Sequence, residues 1–310
     1  FYLARLNNNH AQLPNLPIQY ADYAHWQRQW LQGEVIDALI GYWYNHLQGA
    51  PAFITLPTDR PRPAIQTFNG DHYNFRIAKD LSDELVSLSQ QQGVTLFMML
   101  MAVYQLLLSR YAGQDDISVG IPIAGRNRTE VEGLIGFFIN GLILRTDLSG
   151  NPSFSDLLKR VREVTLDAYA HQDAPAEMVV EALSPERNLS YSPLAQVGFA
   201  LQNIGLSGQL EIPGLRFEPI EQENKTSKYD MTLIMAESAD GLMGSVEYNT
   251  DLFDESTIET MMRHFQHLLK TVVLQSESSL STLAVFDRHE LFQILNIGET
   301  EYEKILPLTS

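Results

Sequence analysis

Between Leu96 and Tyr111 the sequence is apolar on nearly every side of a helical wheel. A helix of that kind is stable only where neighbours cover most of its surface, so this one is predicted to lie inside the protein. Thr95 stands where a side-chain oxygen accepts from a first-turn N–H and starts the helix. The longest apolar run, Val94 to Leu108, is broken by Thr95, Tyr104 and Gln105 and falls short of the roughly 18 residues that cross a bilayer. Met98, Met99 and Met101 read as gap-filling core residues rather than a cofactor box.

Elements to cover such a helix are written on both sides of it. Alternation predicts strands at residues 73–77, 116–124 and 194–202, with a short one near 215–220. In the second, Ile117, Val119, Ile121 and Ile123 share a face, and Pro122 points to an edge or strand end. Residues 229–235 and 242–249 pair as a hairpin around Ser238-Ala-Asp-Gly241. Apolar stripes predict helices through Ile36, Leu39, Ile40, Trp43 and Leu47, through Leu81, Leu85 and Leu88, and through Phe154, Leu157, Leu158 and Val161. A long helix carries Ile258, Met261, Met262, Phe265, Leu268, Leu269 and Val272, with Asp254 as its cap. The fold class is α/β. At 310 residues the chain holds one large or two small domains.

Three prolines within residues 55–63 force an extended segment, read as a strap along a domain surface in preference to a linker. A net charge of −17 with scattered lysines and arginines excludes a nucleic-acid binder. Absence of cysteine removes disulfides, thiolate nucleophiles and zinc–thiolate sites, and a cytoplasmic protein is the simpler reading. The chain opens on Phe1 without a signal peptide, as a fragment of something longer would.

The chemistry-bearing stretch is Gly133-Leu-Ile-Gly-Phe-Phe-Ile-Asn-Gly-Leu-Ile-Leu-Arg-Thr-Asp147. Its glycines mark a bend or a close approach within an apolar run. Asn140 supplies the one side chain between Gly136 and Gly141 that both donates and accepts. Two readings stand: a buried strand with a bulge, or the wall of a channel for a long uncharged substrate, with Gly136, Phe138, Asn140 and Gly141 lining it. His171 and Asp173 form a tempting orienting pair, but the stretch reads better as a helix C-terminal turn. His264 and His267 are expected at the solvent edge of the long helix. Asp22, Asp116, Glu132 and Asp230 are candidates for conformational salt bridges. No phosphate-binding glycine loop, metal-ligand cluster or nucleophile elbow is present.

Four ordered phrases carry a resemblance over nearly the whole chain. They are Tyr20-Ala-Asp22-Tyr-Ala-His-Trp26, Ile135-Gly136-Phe-Phe138-Ile-Asn140 with Arg145, His171-Gln172-Asp173-Ala-Pro-Ala-Glu177, and Arg187-Asn-Leu-Ser190-Tyr-Ser-Pro-Leu194. With Leu56-Pro-Thr-Asp-Arg-Pro61 and Lys228-Tyr-Asp230-Met-Thr-Leu233, the chain resembles the condensation domain of non-ribosomal peptide synthetases. The resemblance implies a chloramphenicol-acetyltransferase-like fold, a mixed sheet flanked by helices, with a tunnel between two subdomains. It implies amide-bond formation between substrates carried on the phosphopantetheine arms of upstream and downstream carrier domains, with no cofactor bound by the chain itself and no metal. It assigns residues 1–54 to the end of the N-terminal subdomain, 55–72 to the strap, 73–276 to the C-terminal subdomain and 277–310 to a connector. The tail Ile305-Leu-Pro-Leu-Thr-Ser310 resembles the opening of a following condensation-like domain.

The sequence departs from that family's pattern at one decisive place. It has no His-His-x-x-x-Asp-Gly box, whose central histidine positions or deprotonates the amine, so no catalytic residue is expected within it. That box falls upstream of Phe1, and activity is expected to need the missing N-terminal half. Gly141 stands for the usual threonine, Ala176 for a bulkier residue, and Asn188 and Tyr191 for an Asp and an Arg. A structural ion pair at Asn188 and Tyr191 is expected to be lost, and the departures together point either to a wider tunnel or specialised subtype or to drift in a domain of reduced activity.

Overall fold

The computed structural model describes residues 2–11, 13, 15–183, 188–202, 215 and 224–286. The predicted alternation becomes strands β1 (Gly70–Ala78), β2 (Asp116–Ile123), β3 (Asn140–Asp147), β4 (Val197–Gln202), β5 (Met231–Ser238) and β6 (Gly241–Asn249). They form one mixed sheet in the order β1-β6-β5-β4-β2-β3. The β5–β6 hairpin closes through Ser238 and Gly241 as expected. Pro122 sits next to the end of β2, which lies inside the sheet, so the strand-end reading holds and the edge reading does not.

Helices are α1 (Tyr2–Leu6), α2 (Tyr20–Trp30), α3 (Glu34–Leu47), α4 (Lys79–Gln91), α5 (Leu96–Ala112), α6 (Thr129–Glu132), α7 (Phe154–Ala170), α8 (Ala176–Leu183) and α9 (Glu255–Leu274). The largely apolar α5 is the hub, packed against α4, α7, α9 and β2. Its residues from Met98 to Ser109 are all buried, and Thr95 accepts from the Met98 N–H at 3.3 Å. The seven-residue stripe of α9 is wholly buried against it. Among the described residues no single helix is long and apolar enough to cross a membrane.

Two expectations fail at α9. His264 is buried rather than at the solvent edge, because Tyr111 on α5 meets its Nδ1 at 2.6 Å and makes an interior position tenable for an imidazole. Asp254 occupies the cap position but its carboxylate turns to Arg60 instead of the helix. The capping acceptor comes from far away: Asp59 takes the Asp254 N–H at 2.7 Å and the Thr257 hydroxyl at 2.9 Å.

Asp59 belongs to the proline-rich segment, which lies along the sheet's end with its polar groups paired. Its backbone N–H reaches Leu252 O at 2.8 Å, and Gln66 N–H reaches Leu189 O. Gln196 takes the Ile54 N–H and donates to Ala52 O, while Gln114 does the same for Thr55 and Phe53 O. Arg62 makes a two-pronged ion pair with Asp230, which is only 2% exposed, and stacks over Phe53. Of the carboxylates read as salt-bridge candidates, Asp230 and Asp116 are paired. Asp22 instead accepts the Gln19 N–H at the start of α2, and Glu132 offers Arg126 its backbone carbonyl. Arg187, the short strand expected near residues 215–220 apart from Leu215, and the tail at 305–310 lie outside the described residues.

Removing the remote cap should cost more than removing the local one. Asp59→Ala is expected to lower the unfolding free energy by about 1–2 kcal/mol in urea denaturation. Asp254→Ala should cost less, since residue 254 keeps its backbone cap; equal losses would mean that the strap does not cap α9.

Candidate functional site

The sheet is weakest where the site forms. Strands β2 and β4 are joined by a single pair, Gly120 and Gly198. Glycine at both positions leaves no side chain on the face opposite α5, α7 and α9, and the Tyr229 ring fills part of the gap, its hydroxyl 3.4 Å from where a Gly120 Cβ would stand. A cleft of about 650 Å³ opens along this seam, from Tyr20 and Phe137 past Asn140 to Thr232 and Glu247. A second cavity of about 310 Å³ adjoins it, lined by Trp43, Leu47, Leu142, Val179 and Leu194 among others. Gly120, Gly141, Ala176, Lys228 and Tyr229 belong to both walls and form the junction. Burial raises the Tyr229 phenol above its ordinary value, so it stays protonated at neutral pH. Among the described residues its hydroxyl takes no hydrogen-bond partner.

The glycine-broken segment divides differently from either sequence reading. Only residues from Asn140 onward are strand; 134–139 are irregular. Leu134 and Phe138 are buried with Val131 in a small separate cluster. Ile135, Phe137 and Ile139 point outward, at 95%, 75% and 61% exposure. Of the four channel candidates, Phe138, Asn140 and Gly141 line the cleft and Gly136 does not. A Cβ on Gly136 would collide with the Tyr20 ring, so this glycine admits a side chain where the sequence pattern suggested backbone. Tyr20 in turn donates to Phe137 O at 2.9 Å and meets the Phe138 ring edge-on. Trp26 stacks on Trp30 beneath Arg128, so the first motif holds the cleft's rim.

Asn140 is the hinge between wall and loop. Its Nδ2 donates to Gln172 O at 2.9 Å and Ala174 O at 2.7 Å. Its Oδ1 accepts from Gly141 at 3.0 Å and Ala176 at 3.2 Å. All four hydrogen-bonding positions of the amide are taken, so it fixes the 172–176 loop and has none left for a ligand. His171 ends α7, with its Nδ1 against Asp167 O at 2.8 Å and its ring stacked 3.8 Å from Tyr42. Asp173 accepts from Asn127. The helix-end reading of this pair therefore describes its geometry better than an orienting dyad.

Arg145 closes the back of the site. It donates to the Asp116 carboxylate through Nε and Nη2, and through Nη1 to His46 O at 2.9 Å and Gln48 O at 3.0 Å. Beside it, burial and then the Arg145 charge hold the His46 imidazole below its ordinary value, against opposing pulls from Asp167 and Asp116. Tyr42, next to it, is pushed up to about 12 by burial and then by Asp167. In the last motif, Ser190 lends its carbonyl to Arg62, and its N–H and hydroxyl go to Asn188. Tyr191 packs on Phe53. Arg62, Tyr229 and Gln196 were not singled out by sequence reasoning, because Asp230, Gly120 and Ile54, which they respectively meet, lie more than a hundred positions away.

Comparisons with known proteins agree with this architecture. A family model described as "Condensation domain" matches residues 1–295. One of the linear gramicidin synthase proteins of Brevibacillus parabrevis is 51% identical over 286 residues, spanning 92% of this chain and 6% of that protein. A solved complex of the X-domain and OxyB from teicoplanin biosynthesis superposes with a TM-score of 0.79 at 29% identity, over 92% of this chain and 64% of that one. The condensation domain of the Monacolin K polyketide synthase MokA has a TM-score of 0.74 at 20% identity, over 89% and 66%, a likeness of fold alone.

Two measurements probe the site's construction. Asn140→Asp places a carboxylate against two carbonyl oxygens and is expected to cost about 2–3 kcal/mol of stability, with faster proteolysis at residues 172–176. For His46, the unfolded imidazole titrates near 6.5 and the folded one lower. The unfolded chain therefore binds the extra proton first, and the stability present above about pH 6.5 is lost as pH falls through the folded value. Urea midpoints should drop over that window, and the slope should flatten in His46→Gln.

Proposed function

Because the chain belongs to the condensation-domain family, we propose that it forms the cleft-bearing part of a peptide-synthetase domain that joins a carrier-bound acyl or peptidyl thioester to a carrier-bound aminoacyl group. The observation that carries this reading is the cleft of about 650 Å³ along the Gly120–Gly198 seam. It is long, apolar in most of its wall, and supplied at its junction with Lys228 and Tyr229.

In the reaction, the acceptor's amine nitrogen attacks the thioester carbonyl carbon. The C–N bond forms, the C–S bond breaks, and the departing thiol takes up the proton that the amine gives away. A neutral phenol at Tyr229 suits donation to the thioester oxygen as charge develops on it. The sheet seam and the Asn140-braced loop hold the two substrates in line and keep bulk water from the thioester. Positioning of this kind supplies a large share of the acceleration in a bimolecular acyl transfer. The base belongs to the His-His-x-x-x-Asp-Gly box, which this sequence does not contain. The carriers approach the two ends of the cleft, and their phosphopantetheine arms enter as parts of the substrates.

A second reading, a docking module without chemistry, draws support from the X-domain solved in complex with OxyB. The two are separated by incubating the full-length protein with donor and acceptor carriers bearing acyl and aminoacyl thioesters, followed by intact-mass analysis. An amide-linked product on the acceptor carrier is expected. Asn140→Ala, which loosens the loop by an ångström or so, should slow its formation by roughly a hundredfold. Binding of carriers with no product would favour docking.

A further inference from the structure

The smaller cavity is not needed to pass a pantetheine arm, and its chemistry differs from that of the cleft. Trp43, Leu47, Leu142, Val179, Val180 and Leu194 make its deep wall. Its polar side chains, Lys228, Tyr229 and Ser192, accompany them, and the first two stand at the junction with the cleft. Trp43 is buried with its indole N–H already committed to His171 O at 3.0 Å. A pantetheine amide pushed beyond the junction would leave its N–H and C=O unpaired, a cost that an apolar group does not meet. At about 310 Å³ the chamber is about twice the roughly 150 Å³ of an engineered apolar cavity that stays dry and binds benzene. It has room for a branched aliphatic or an aromatic side chain.

Gly141 and Ala176 line both spaces and stand, with Gly120, Lys228 and Tyr229, at the doorway between them. A Cβ built on Gly141 meets nothing within 4 Å, and its backbone is not in the left-handed region. Neither sterics nor backbone conformation requires glycine there, so its effect is to keep the doorway open. Resting on the proposed condensation reading, we propose that this chamber is the subsite for a large apolar side chain of one carrier-bound substrate, with Gly141 as its specificity-determining residue. The side chain enters past residue 141 while the thioester remains in the cleft beside Tyr229.

The test uses the full-length protein and non-hydrolysable pantetheine amides of alanine and leucine, each as the free amine to mimic an acceptor and N-acetylated to mimic a donor, with binding measured by calorimetry. The unaltered protein should bind the leucyl compound of one series about tenfold more tightly than its alanyl counterpart. Gly141→Leu, which fills the doorway without backbone strain, should erase that preference, weakening leucyl binding about tenfold more than alanyl binding. The series that loses its preference identifies the substrate, donor or acceptor. Equal binding of alanyl and leucyl compounds in both series overturns the proposal, as does an equal loss for both in Gly141→Leu. A leucyl preference that Gly141→Leu abolishes, in a protein that forms no amide with loaded carriers, upholds the subsite and fails the condensation reading instead.

Discussion

One guanidinium holds the site together. Arg145 reaches the Asp116 carboxylate across the β2–β3 pair and, on its other side, the last carbonyls of α3 at His46 and Gln48. A cation at a helix C-terminus is favourable in itself, and a planar fork serves a carboxylate and two carbonyls at once where a lysine cannot. The consequence is spatial. Trp43 and Leu47 lie on α3, so the helix that forms the chamber's wall is fastened to the same two strands that carry Gly120 and Gly141. Without that fastening the chamber would lose the wall that Trp43 and Leu47 supply.

A sheet in which the interior strands β4 and β2 share a single residue pair has given up ladder hydrogen bonds to make room. The loss is tolerable because the strands on either side are fully paired and because α5, α7 and α9 cover the other face with buried aliphatic and methionine side chains. The face that was opened is lined by glycines and a tyrosine. The seam, the Asn140 brace and the Arg145 clamp therefore act on different parts of one space: the first opens it, the second sets its loop, and the third sets its helix.

How much of this could be read in advance follows from how local each cause is. Every helix and strand with a clear period, from the stripe of α9 to the alternation of β2, was legible, since periodicity is written in neighbouring residues. So was the Thr95 cap. The remote cap by Asp59, the Arg62–Asp230 pair and the burial of His264 beside Tyr111 were not, because each joins residues far apart in the chain. Segment 134–139 was misjudged for another reason. Alternating apolar residues look the same whether they face a core or the outside, and Ile135, Phe137 and Ile139 face outward. The motif resemblance pointed to β3 and to the 171–176 loop, which Asn140 ties together, but it gave no sign that Asn140 would spend its whole amide on its own backbone neighbourhood.

That commitment of Asn140 also bears on how the molecule ages. Asparagine followed by glycine is the pair most open to cyclisation, in which the next amide nitrogen attacks the side-chain carbonyl and ammonia is lost. Here the Gly141 N–H is turned into a donor to Oδ1, and the leaving amide is held by two carbonyls, so the native arrangement protects the bond. Unfolding releases it. A chain that lingers denatured in mild alkali returns with a carboxylate between two carbonyls and cannot rebuild the loop, so heat damage accumulates as a covalent scar.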